Sequence, residues 1–321
     1  MKETLMNGVS GRSAFLIRLF GTLLALVLLF YLLSQQGWSE IAAAFNKIPF
    51  WRLALAMGLM FVSRLAVSGR WYVLLRSGGV DVSLGQALRV TFAGLFATNF
   101  LPTTVGGDVI RLAGALQLRC DAAISAASLI VDRLIGMAGM AMVLPFGLPS
   151  FLQSRGAVSR WHLQDPYLMA SYAAPLGKLW HTAWEKGLRL VRKVLTALSL
   201  WLKQPRALVT ALVFTWVHML CLFLILLTLF TGMDQSISFW LVGGLYSLVY
   251  FVTLMPFSIN GYGIQEISMT LIFSTVGGVS MESGLTAALL FRTIMMLASL
   301  PGALFVPELL AGAKARAGAG G

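Results

Sequence analysis

Eight ionisable side chains fall inside or at the edges of long apolar stretches: Arg64, Arg70, Asp108, Arg111, Asp132, Arg133, Glu266 and Arg292. A lone charge in the middle of a hydrocarbon layer costs about 2.5 kcal/mol or more, so such groups face protein or water and are candidates for function. Gly106, Gly107 and Asp108 open a short helix, and Arg111 follows one turn later. The free amides at that helix start, together with Arg111, can hold a phosphate. The alternative is structural, with Asp108 capping the helix and Arg111 pairing with Asp132. Arg64 and Arg70 are six residues apart and share no helix face closely. Arg70 can snorkel to an interface, whereas Arg64 lies deeper and reads as a cavity residue. Ser258, Asn260, Tyr262, Gln265 and Glu266 form a second polar group, in which Glu266 needs Arg292 or another arginine as partner. Asn99, Thr103 and Thr104 complete the candidate substrate-binding set.

Both polar groups sit where an apolar helix must stop. One interruption reads Phe100-Leu101-Pro102-Thr103-Thr104-Val105-Gly106-Gly107-Asp108, the other Leu254-Met255-Pro256-Phe257-Ser258-Ile259-Asn260-Gly261-Tyr262. Proline removes an amide donor and glycine permits positive φ. Broken backbone at membrane depth persists only where protein or a water-filled cavity shields it. Matched Gly/Pro interruptions in two halves of a chain point to a transporter's binding region.

Composition supports a membrane setting. Hydrophobic residues make up 58% of the 321 residues and charged residues 11%, with a mean hydropathy of +0.82. Windows long enough to span cover 15–33, 51–75, 122–148, 207–230 and 285–306. The first follows basic residues Lys2, Arg12 and Arg18 and lacks a small-x-small cleavage pattern, so it reads as a retained helix. The net charge of +12 is densest between Lys178 and Arg206, where Leu188, Val191, Leu195, Leu198 and Leu202 form one apolar stripe. That stretch is either an amphipathic helix on the anionic inner leaflet or a basic cytoplasmic loop; both place it inside. Nucleic acid is a poor partner for charge confined to a membrane-bounded loop. Cys120, Cys221, His162, His181 and His218 are scattered, which argues against disulfide or zinc frameworks. No phosphate-binding Walker loop or Ser/His/Asp arrangement is legible, and no cofactor is expected. His218, alone in an apolar span, reads as a packed helix residue.

A shift of 154 aligns Leu75 with Leu229, Gly78 with Gly232, Pro102 with Pro256, Gly107 with Gly261 and Ile110 with Ile264. The expected fold is an all-α polytopic membrane bundle of two inverted repeats, each with a re-entrant broken-helix hairpin. A basic leader (1–14) precedes one transmembrane domain (15–308). Within that domain repeat 1 covers about 51–148, the basic amphipathic segment about 176–206, and repeat 2 about 207–308. An Ala/Gly-rich tail (309–321) follows. The charge pattern puts the N-terminus in the cytoplasm of a cell with this protein in its inner membrane. Inversion of the repeats requires a further crossing between Leu148 and Lys178.

The combination of Leu101-Pro102, Gly106-Gly107-Asp108, Arg111, Asp132-Arg133, Gly136, Pro256, Ser258, Gly261, Gly263 and Glu266 resembles the lysylphosphatidylglycerol synthase transmembrane region, or flippase-like family, over about 15–307. The resemblance implies a domain related to the part of those synthases that moves modified phospholipid across the bilayer, with relatives in hopanoid and glycolipid pathways. The chain ends without the aminoacyl-transferase domain and is not expected to make the lysyl lipid. Asn260 stands where the family usually has Gly, and Gln265 where Arg is common.

The expected function is translocation of a phospholipid, aminoacylated or isoprenoid-linked lipid with an anionic or zwitterionic headgroup. Two alternatives are a membrane enzyme using Asp108 or Glu266 as general base and a non-catalytic partner of lipid-synthesis enzymes.

Overall fold

The computed structural model describes residues 46–100, 106–158, 201–254 and 261–306. All regular structure among them is helical: α1 (Phe50–Ser77), α2 (Leu84–Phe100), α3 (Gly106–Gln117), α4 (Ala122–Val143), α5 (Leu148–Val158), α6 (Pro205–Gly232), α7 (Phe239–Thr253), α8 (Ile264–Thr275) and α9 (Met281–Leu297). Short 3₁₀ turns, Leu144–Phe146 and Leu300–Leu304, follow α4 and α9. Among the described residues four helices are long and apolar enough to cross a membrane: α1, α4 with its 3₁₀ turn, α6, and α9 with its 3₁₀ turn. The chain is therefore a multi-pass membrane protein built from an all-α bundle. The first window, 15–33, and most of the basic segment before Arg206 lie outside the described residues.

Local sequence explains where helices begin. Asp121 caps α4 by accepting from the Ile124 amide at 2.9 Å, and Ser238 and Ser280 cap α7 and α9 from the Leu241 and Ser283 amides, each at 3.3 Å. The second interruption ends in Gly261 and Gly263, at φ 69° and 76°. Glu266 Oε2 reaches back to accept from the Gly263 amide at 2.8 Å and fixes the start of α8.

Helix exteriors differ from those of water-soluble proteins. Phe61, Val62 and Leu65 of α1 and Val209, Val213, Trp216 and Leu220 of α6 face outward, whereas Ser63, Arg64, Ser68 and Arg70 are buried. An apolar exterior suits lipid chains, and the polar residues need partners inside.

α1 and α6 form the central pair and run antiparallel. Near the start of α1, Arg52 donates to Thr231 Oγ1 at 2.8 Å, close to the end of α6. At the opposite end, Trp201 and Gln204, just before α6, donate to the Ser77 Oγ and Ser77 carbonyl at 3.0 and 2.7 Å. Midway, Ser63 Oγ meets His218 Nδ1 at 2.6 Å.

α2 and α3 form one helical hairpin and α8 returns against α7 to form a second. The mouth of the first lies at the Ser77 end, where Val80, Val82 and Cys120 pack with Trp71 and Leu75. The mouth of the second lies beside the Gly232 end, where the Ser280 amide donates to Gln235 Oε1 at 3.1 Å. Contacts between the halves are reciprocal. The turn after α4 packs on α7, and the turn after α9 packs on α2. At both places backbone touches backbone: a Cβ on Gly147 would lie 2.4 Å from the Gly244 carbonyl carbon, and one on Gly302 would lie 2.0 Å from the Phe92 oxygen. Leu148 and Trp201 thus flank opposite ends of the α1/α6 pair, and the further crossing expected after Leu148 falls mainly outside the described residues.

Candidate functional site

Residues of α1 to α4 and α6, with Tyr250 of α7, line a half-open cavity of about 250 Å³. Six charged side chains line it: Arg64, Arg70, Arg111 and Arg133 against Asp108 and Asp132. Arg64 lies near the middle of the 28-residue α1, and His218 near the middle of the 28-residue α6, so this wall of the cavity is far from either helix end. At 1.5 Å rise per residue each helix is about 42 Å long, which puts these groups deep in the apolar layer.

Asp132 organises the floor. Its two oxygens accept from Arg70 Nε at 2.7 Å and from Arg111 Nη1 at 3.1 Å, and all three residues are buried. Arg70 also donates to Thr215 Oγ1 at 3.1 Å, tying α1 and α4 to α6. The Arg111 guanidinium sits 4.5 Å over the Trp71 ring, a cation–π contact in a desolvated place. Asp108, in the first turn of α3, accepts from Arg133 Nε at 2.6 Å and lies 3.8 Å from Arg111. Ion pairs with Arg133 and Arg111 thus occupy Asp108, and Arg111 does pair with Asp132. Neither carboxylate is free.

Arg64 is different. It is 6% exposed, makes no ion pair among the described residues, and its buried Nε lacks a hydrogen-bond partner. Arg111 likewise has Nε and Nη2 buried and unsatisfied. Buried donors without partners are costly, and both of these arginines line the cavity.

The second polar group is built another way. Arg292 Nε donates to Glu266 Oε1 at 2.5 Å, Arg292 Nη2 donates to the Gly261 carbonyl at 3.3 Å, and the Arg292 guanidinium stacks 4.7 Å from the Tyr262 ring. The partner expected for Glu266 is therefore Arg292. Tyr262, Gln265, Glu266 and Arg292 do not line the cavity, and the Gln265 backbone N–H donates to the Gly261 carbonyl at 2.9 Å. Yet the two groups are linked. The Tyr262 hydroxyl donates to the Asn99 carbonyl, and Asn99 Nδ2 donates to Ser299 Oγ at 3.0 Å. The ends of the two interruptions therefore meet. Thr103, Thr104, Ser258 and Asn260 lie outside the described residues.

This geometry matches the residues that carry the family resemblance. The lysylphosphatidylglycerol synthase TM region matches residues 18–302. The chain belongs to that family. No curated protein matches it. Membership in this flippase-like family marks a lipid-handling membrane protein, and multi-pass character and membrane location agree with it.

Arg70, His218 and Tyr250 are among the cavity residues not foreseen as such from sequence. Arg70 is a buried partner of Asp132 rather than an interfacial snorkeller, because α4 and α6 supply Asp132 and Thr215 at its depth. His218 is not only packed; it lines the cavity and meets Ser63. Tyr250 carried no signal beyond its place in an apolar helix. Among the described residues no group of three His, Cys, Asp or Glu side chains that could hold a metal occurs.

Proposed function

We propose that the chain is a lipid translocator whose cavity takes the headgroup while the acyl chains stay in the bilayer. The observation that carries this reading is a half-open, charge-lined cavity against the midpoints of two spanning helices, in a family tied to lipid handling. Arg64 and Arg111 are assigned to headgroup binding, and Asp108, Asp132 and Arg133 to holding the arginines in place. Tyr262, Glu266 and Arg292 with Asn99 act as the clasp between hairpin tips. Thr103, Thr104, Ser258, Asn260 and Gln265 remain candidates around those tips.

We further propose two repeats of inverted topology, each containing a re-entrant hairpin. The reading is supported by the reciprocal contacts and by hairpin mouths at opposite ends of α1/α6. It is supported too by Ser63 meeting His218. Both bounds of α1 and α6 differ by 155 residues (50 to 205, 77 to 232), one more than the sequence shift of 154, so Ser63 and His218, in contact with each other, lie within one position of equivalence. Equivalent positions touch where a two-fold axis passes. Arg76, Arg119, Lys203 and Arg206 cluster toward the Ser77 end, which the positive-inside rule places in the cytoplasm. The basic 178–206 segment would then rest on the anionic inner leaflet, beside lipid-synthesis enzymes if such partners bind.

A catalytic reading is weaker, because Asp108 and Glu266, the candidate bases, are both held in ion pairs. The test is the purified protein in liposomes carrying headgroup-labelled lipids. Leaflet exchange faster than in protein-free vesicles, without change in lipid mass, is the expected result. Absence of exchange for every lipid class, or a mass change, would refute translocation.

A further inference from the structure

Charge balance in the cavity goes further than the presence of a polar chamber. Four guanidinium groups face two carboxylates, which leaves an excess of two positive charges with His218 neutral (4 − 2). The carboxylates are already shared among Arg70, Arg111 and Arg133, so none is available to an incoming ammonium group. Tyr250 is the single aromatic among the lining residues, so no aromatic cage for a quaternary or primary amine is assembled. The uncompensated charge is concentrated on Arg64, a lining residue only 6% exposed with no ion pair among the described residues, while Arg111 keeps Nε and Nη2 without acceptors beside its bond to Asp132.

We infer that this cavity binds a doubly charged phosphate group, a phosphomonoester or diphosphate, held between Arg64 of α1 and Arg111 of α3. This rests on the translocator reading and narrows it, naming the headgroup class. A planar guanidinium presents donors in a fork that fits phosphate oxygens, and two such forks in a desolvated site favour a compact dianion. A zwitterionic headgroup would leave the excess charge in place and bring an ammonium toward arginines. An aminoacylated headgroup, net positive, would add to it. The same phosphate chemistry is carried by lipids with a terminal phosphate and by soluble phosphate or pyrophosphate, and the assay separates them.

The experiment uses the full chain in detergent and in liposomes. Thermal unfolding is followed with inorganic phosphate, pyrophosphate, phosphatidic acid, phosphatidylcholine and lysylphosphatidylglycerol, and leaflet exchange is measured for the three lipids. The proposal expects phosphatidic acid to stabilise the protein and to exchange at least about tenfold faster than phosphatidylcholine, since each charge-assisted bond is worth roughly that factor. In the Arg64→Gln variant this selectivity should vanish. The variant without ligand should be no less stable than the parent, because it removes a buried charge with no counter-ion.

Stabilisation by phosphate or pyrophosphate equal to that by phosphatidic acid, and lost in Arg64→Gln, supports the site and assigns it to a soluble anion. Preference for phosphatidylcholine or lysylphosphatidylglycerol overturns the inference while leaving translocation standing. If no lipid exchanges but phosphate-dependent stabilisation persists, translocation falls and the phosphate site stands. Absence of any phosphate-dependent stabilisation, or its persistence undiminished in Arg64→Gln, overturns the inference.

Discussion

Asp132 carries the largest electrostatic responsibility of any single side chain in the described structure. Its carboxylate neutralises two buried arginines at once, at 2.7 and 3.1 Å. Breaking a buried ion pair by removing one partner costs about 3–5 kcal/mol, because a charge is left without compensation. Asp132→Asn should therefore lower the detergent Tm sharply, more than any change at exposed Asp81, whose pair with Arg76 is solvent-facing. Glu266 and Arg292 offer a cleaner measurement. Each single Gln substitution orphans a buried partner, so the double variant should lose less stability than the sum of the two, and strict additivity in a thermal-unfolding cycle would contradict their direct coupling. At this scale the sequence was partly legible. Glu266 demands a cation at its depth, and Arg292 answers it. Arg70 was illegible because snorkelling and burial look alike until the neighbours of its helix are known. Those neighbours, Asp132 and Thr215, lie 62 and 145 residues away.

The elements were easier to read than their contacts. Proline and glycine limit helices through local sterics, so the two interruptions could be placed from sequence, and α2 and α3 do lie on either side of 101–105. The four spanning windows that fall on described residues also agree with α1, α4, α6 and α9 within a few residues, since length and hydropathy alone set them. Which element lies on which was not legible. The 3₁₀ turn after α9 packs on α2, and its Gly302 has no space for a methyl against the Phe92 carbonyl. Gly302→Ala should loosen that turn from the first hairpin and reduce thermal stability, whereas Gly58→Ala on α1, where nothing lies within 4 Å, should have little effect. Equal Tm values for the two variants would contradict the close approach. The cavity escaped local reading for the same reason, because its wall combines α1, α2, α3, α4, α6 and Tyr250 of α7.

For the molecule as a whole, hairpin mouths at opposite ends of the central pair make a topological prediction. Asp81, beside the first mouth, and Asp234, beside the second, are both exposed. An impermeant maleimide applied to sealed vesicles of one orientation should label Asp81→Cys or Asp234→Cys but not both; labelling of both from one side would overturn the inverted arrangement. The order of charges along the chain has a consequence for biogenesis. α1 carries Arg64 and Arg70 at its buried face, yet Asp132 is synthesised 62 residues after Arg70, and Thr215 and His218 later still. When α1 leaves the ribosome these two cations have no counter-ion, a burden of about 2.5 kcal/mol for one at mid-bilayer. It should therefore partition poorly into the membrane until α4 emerges. In a cell-free translocation assay, a nascent chain arrested before Asp132 should leave α1 accessible to protease or glycosylation, and one arrested well beyond it should protect α1.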